Sequence, residues 1–249
     1  MTKYEVTRED INASLDYLEK IYSFARRPHS DSRIKEPILI GGWAVHAYNP
    51  WFGSLDIDII ANSKTQSSLK HFLKERHEFK THEITPGEKT VAKTTQSGRK
   101  ITIDFISKAM GFEGHMKNIL KSAVYITNLD HIKLDNRVEV LVPKITVLWV
   151  YKLKAAWDRS YRLDNELSED AEWEEGKLAK DYGDLAALID GKTPLDPEII
   201  GRALRDFTFL REAIDCMNSQ PSLYNSYTRG EKKKELLIKK KISIMNKYI

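Results

Sequence analysis

Two aspartates two residues apart in an otherwise apolar stretch constrain this chain more than any other feature. In GGWAVHAYNPWFGSLDIDII, Gly41 to Ile60, Asp56 and Asp58 stand among Leu55, Ile57, Ile59 and Ile60. Alternate residues of a β-strand project to one face, so the two carboxylates share a surface while Ile57 and Ile59 take the other. Like charges that close repel unless a cation, a proton or solvent compensates them.

The rest of the chain bounds what that surface belongs to. With 249 residues, 41% of them hydrophobic, it can bury a sizeable core as one large domain or two small ones. No apolar run approaches the roughly 20 residues of a membrane span. The opening MTKYEVTRED lacks the regions of a signal peptide, so a cytoplasmic protein without a membrane partner is expected. Cys216 is the only cysteine, which excludes an internal disulfide framework and a multi-cysteine zinc site, and no histidines have HExxH or H-x₃-H spacing. Charge is uneven: from Arg229 on there are eight Lys/Arg against two Asp/Glu, so a chain of net +4 is a slightly acidic body with a basic tail.

Periodicity divides the chain near Pro143. Before it, Ile11, Leu15, Leu18, Ile21 and Tyr22 recur at helical spacing. EPILIGG reads as a strand, WAVHAYN as a short helix ended by Pro50, GSLDIDIIAN as a strand, and SKTQSSLKHFLKERH as a helix capped by Ser63. After a polar, Gly-containing stretch, RKITIDFIS and NRVEVLVP read as further strands. From Lys144 on only helices are expected: ITVLWVYKLKAAWDRSYR, WEEGKLAKDYGDLAALID, DPEIIGRALRDFTFLREAIDCM and EKKKELLIKKKISIMNKY. The expected architecture is an α/β (α+β) half over residues 1–143, a mixed β-sheet flanked by helices, then a helical bundle with a basic tail over 144–249.

The chemistry of the acidic strand suits a nucleoside triphosphate. Gly41 and Gly42 let backbone approach phosphate oxygens, and the helix after them offers free N–H groups. Mg²⁺ keeps several waters and takes its other ligands from one or two carboxylates and the substrate phosphates, so Asp56 and Asp58 are candidate metal ligands. Asp104, in ITIDFIS, joins them if its strand neighbours theirs. Three acids support a two-ion arrangement, with Asp104 also placed to act as base.

Gly-Gly, thirteen residues, Asp-Ile-Asp-Ile and a later Ile-Asp-Phe-Ile strand resemble the signature of the polymerase-beta-type nucleotidyltransferase superfamily. The resemblance implies transfer of NMP from an NTP to a hydroxyl, with Asp56 and Asp58 as metal ligands and Asp104 as third carboxylate. GGWAV followed by DIDI is similar to enzymes that modify aminoglycosides or lincosamides. KLKAAWDR followed by KLAKDYGDL is similar to the helical motif of AbiEii-type toxins, matched here by Lys152, Arg159, Asp181 and Asp184. The latter resemblance implies a macromolecular acceptor, a tRNA end or a protein hydroxyl, and a cognate antitoxin. Lys152 and Arg159, seven apart on one helix face, would then meet the triphosphate, with Asp181 and Asp184 orienting them. Two departures stand out: Phe52 occupies the region where both branches carry an arginine, leaving Ser54 as the nearby polar contact, and His46 stands where the antibiotic-modifying branch tends to have an acid.

Other readings are simpler. Trp43, Trp51 and Phe52 suit either core or base stacking. The acidic run Asp164 to Glu175 reads as a solvated loop and helix start, or as a counterweight to the basic tail. That tail suits a docked terminal helix or an RNA-backbone contact. A small hydroxylated acceptor, or a catalytically silent nucleic-acid or protein binding module, remains the alternative to the toxin-like enzyme.

Overall fold

The computed structural model describes residues 6–83, 89–106 and 129–245. These fall into two compact units, one ending at Pro143 and one beginning at Lys144. No helix among the described residues is long and apolar enough to cross a membrane.

The first unit is built on a seven-stranded mixed sheet. Its elements are α1 (Arg8–Arg26), β1 (Ile38–Ile40), α2 (Gly41–Tyr48), β2 (Ile57–Ile60), α3 (Ser63–His77), β3 (Lys80–Glu83), β4 (Lys89–Thr94), β5 (Lys100–Ile106), β6 (Leu129–Leu134) and β7 (Val138–Pro143). The strand order is β3-β4-β5-β2-β1-β7-β6, which makes β2 the middle strand. β2 pairs antiparallel with β1 and parallel with β5, while β1 runs parallel to β7. Ile57, Ile59 and Ile103 are fully buried, each worth about 2 kcal/mol of hydrophobic transfer, so the register is strongly specified. A slip of one residue would turn the adjacent aspartates into the core.

Helix α1 begins with a capping box in which the Thr7 side chain accepts from Asp10 N–H and the Asp10 carboxylate accepts from Thr7 N–H. The Asp10 side chain also accepts from Thr95 and Ser97, which ties the β4–β5 turn to the helix. Tyr22, fully buried, donates its hydroxyl toward the Pro37 and Leu141 carbonyls. The cap of α3 is Asn62 rather than Ser63: its Oδ1 accepts from Thr65 N–H at 2.9 Å. Asn62→Ala therefore lowers stability by about 1 kcal/mol, read as a shifted urea midpoint with unchanged slope.

Three strands were not visible in the sequence pattern. β3 and β4 occupy the polar, Gly-containing stretch; they form a hairpin whose outer strand, β3, is the sheet edge, while β4 pairs inward with β5 and buries Thr90 and Val91 between lysines. β6, at the other edge, pairs with β7 through the three-residue turn Asp135 to Arg137, in which Asp135 and Asn136 have positive φ (47° and 57°) and Arg137 N–H donates to the Leu134 carbonyl at 2.9 Å.

The second unit is helical throughout its described residues: α4 (Ile145–Asp164), α5 (Ala171–Asp190), α6 (Pro197–Asp206), α7 (Leu210–Ser219), a 3₁₀ turn (Pro221–Tyr224), α8 (Asn225–Thr228) and α9 (Lys232–Met245). α4 and α5 pack along each other as its spine. The long helix expected from Asp196 to Met217 is broken into α6 and α7. The break lets Phe207 and Phe209 both turn inward, with Phe209 against the Trp157 ring at 4.4 Å.

Candidate active site

Asp58 of β2 and Asp104 of β5 are register partners on adjacent parallel strands. Their Cα atoms are therefore about 4.8 Å apart and their side chains leave the same face. Thr102, two residues before Asp104, shares that face and donates its hydroxyl to Asp56 Oδ1 at 2.6 Å. That bond draws Asp56, just before β2, to the same side. All three acids are half-buried, beside a fully buried isoleucine layer on the reverse face. The juxtaposition expected of Asp56, Asp58 and Asp104 is thus present within one unit.

Gly41 closes the surface from β1. Its φ of +68° is a conformation that side-chain-bearing residues rarely adopt, and a Cβ built on it would fall 1.9 Å from Asp58 Oδ2. The backbone turn into α2 consequently lies directly against the Asp58 carboxylate. Helix α2 starts here without a side-chain cap, since Ile40 occupies the cap position. Gly41→Ala should cost about 2 kcal/mol from the backbone alone. It should also push Asp58 aside, so chemical unfolding registers the first effect and loss of metal-dependent nucleotide binding the second.

The remaining candidates near this strand are placed differently. Gly42 is buried in the first turn of α2, and Ser54 is buried at 7% exposure. Trp43 is core: it is fully buried and its indole donates to Ser14 Oγ at 3.0 Å. Phe52 is exposed and lies beside Trp51. His46 meets an acid from another element, its Nε2 lying 3.1 Å from Asp135 Oδ1 in the β6–β7 turn.

The second cluster lies in the helical unit. Lys152, expected to meet phosphate, is buried, and its ammonium lies 2.8 Å from Asp181 Oδ1 and 2.6 Å from Asp184 Oδ2. Arg159 donates Nε to Asp181 Oδ2 at 2.9 Å and pairs with Glu174, which also receives Arg162. Lys180 joins the cluster, its ammonium 3.1 Å from Asp184 Oδ2. The four motif residues therefore form one buried ionic network between α4 and α5. Burial pulls the Lys152 pKa down most strongly, yet the charges of Asp181 and Asp184 overcome it and the net shift is upward. Burial likewise pushes Asp181 and Glu174 up, but their cationic partners hold both below the ordinary carboxylate range.

Glu174 was missed because it sits in an acidic run that reads as solvated. Its signal was spacing: Glu174, Asp181 and Asp184 recur at seven and three residues, one face of a helix.

Among the described residues no three His, Cys, Asp or Glu side chains form a ready metal cage. The donor chemistry still fits Mg²⁺, which asks for one or two carboxylates and completes its shell with water and phosphate. Asp58 and Asp104, adjacent in register with the Gly41 turn lying against the Asp58 carboxylate, are that kind of donor set. Compared with known proteins, the chain matches no family model and no curated sequence.

Proposed function

We propose that the chain is a Mg²⁺-dependent nucleotidyltransferase that moves NMP from an NTP to a hydroxyl acceptor and releases pyrophosphate. The observation that carries the reading is the Asp58–Asp104 register pair beneath the Gly41 turn, with Asp56 drawn to the same face by Thr102. Parallel strands that place like charges side by side pay a repulsion, which a bound cation relieves. Asp56, Asp58 and Asp104 would hold the metal, whose chemistry when bound is to neutralise phosphate charge and favour the departing pyrophosphate. Asp104 takes the proton of the acceptor hydroxyl. The N–H groups at the start of α2 hold phosphate oxygens where no arginine is supplied at Phe52. Lys152, Arg159, Asp181 and Asp184 brace α4 against α5 and hold the helical unit in one arrangement.

The resemblance of that network's sequence to the AbiEii-type pattern supports a macromolecular acceptor, a tRNA end or a protein, in a toxin–antitoxin pair. A second reading, the catalytically silent binding module, is favoured by Phe52 where an arginine is expected. Calorimetric titration with each NTP separates them. The proposal expects binding only when Mg²⁺ is present, and Asp104→Asn is expected to keep much of that binding while transfer slows; binding that ignores Mg²⁺ would leave the silent module.

A further inference from the structure

Four of the five large apolar side chains exposed among the described residues fall into two patches of opposite charge, both on the helical unit. The first is on α9. Ile238 and Ile242 are fully buried, while Leu236 (66% exposed) and Leu237 (44% exposed) point outward. Lys233 and Lys240 flank them at one-turn spacing on the same stripe and make no ion pair among the described residues. The second patch follows α4. Leu167 (56% exposed) and Trp173 (41% exposed) are set among Glu166, Glu169, Glu172 and Glu175, also exposed and without an ion pair among the described residues. The whole run from Asp164 to Glu175 holds no lysine or arginine.

We propose that a second copy of this chain is the partner of both patches: the lysine-ringed leucines of α9 dock on the acid-ringed Leu167 and Trp173 of the other copy. Each patch has apolar residues inside a polar rim; the α9 rim is mainly lysine, and the rim of the second patch is mainly acidic, with Arg159 and Lys177 over the Trp173 ring. A nucleic acid or an anionic membrane surface would account for the lysines alone and would meet repulsion from the acidic patch. In a twofold pair every protomer offers both patches, so the contact is made twice.

Sedimentation equilibrium of the full chain tests this. A dimer is expected at about 0.05 M salt that weakens about tenfold or more at about 0.5 M, because exposed charge pairs are screened. The double variants Lys233→Glu with Lys240→Glu, and Glu169→Lys with Glu172→Lys, are each expected to be monomeric with unchanged circular dichroism. Mixed together they are expected to form a heterodimer, since both contacts again join opposite charges; a merely structural effect would not be rescued. The proposal is overturned by a chain that is monomeric at low salt, or by a dimer that neither exchange disturbs. It is equally overturned if the chain stays monomeric while the lysine exchange abolishes binding to poly(U) or to phosphatidylserine vesicles.

Discussion

Asp58→Asn is expected to leave the protein at least as stable as wild type while removing Mg²⁺-dependent nucleotide binding and slowing transfer about 10³-fold, the scale of losing a group that manages transition-state charge. The two halves of that result have one origin. Asp58 faces Asp104 across a parallel pair and lies against the Gly41 turn. Neutralising it relieves a repulsion worth up to about 1 kcal/mol between opposed like charges. It also removes the charge that would hold the cation. Urea unfolding and nucleotide titration on the same preparation read both. A variant that lost binding because it lost the fold would show neither a raised nor an unchanged midpoint.

The second large effect belongs to the helical unit. Asp181→Asn removes the carboxylate shared by Lys152 and Arg159, and breaking one member of a buried ionic network costs about 3 kcal/mol. Replacing Lys152 and Asp181 together by Met and Leu should cost less, since no charge of that pair is then stranded. The pH dependence has a defined sign. Asp181 and Glu174 have lowered folded-state pKa values, so their contribution is complete above the unfolded carboxylate range near pH 4 and is lost as pH falls through the lowered values. Lys152 is raised, so its contribution is complete below the unfolded lysine value, about 10.4, and is lost only above it. The contribution of this network should be flat from about pH 5 to about pH 10, and the acid-side decline should be shallower in Asp181→Asn than in wild type.

Strong local signals were legible in the sequence. Asp56-x-Asp58 and the isoleucines between and after them dictated a strand with one polar face, and the seven-residue spacing of Lys152 and Arg159 dictated one helix face. What lay beyond reach was pairing. That Asp104 stands opposite Asp58 depends on β2 and β5 being parallel neighbours 46 residues apart, as the Thr102–Asp56 bond also does. The edge strand β3 escaped because edges are kept polar, and β4 because its buried pair, Thr90 and Val91, stands between lysines instead of alternating with them. β6 was more readable than it seemed, since LDHIKL alternates and Asp135-Asn136 is turn chemistry. Glu174 reads as solvated by composition, whereas helical phase turns it to Arg159 and Arg162 of α4.

Nucleotidyl transfer is read by incubating the protein with each α-phosphate-labelled NTP, Mg²⁺ and a cell extract, and comparing wild type with Asp58→Ala. Label is expected in an RNA, protein or small-molecule fraction with wild type and in none with the variant. Label that persists with Asp58→Ala, or no transfer to any fraction together with no Mg²⁺-dependent nucleotide binding, would contradict the proposed function.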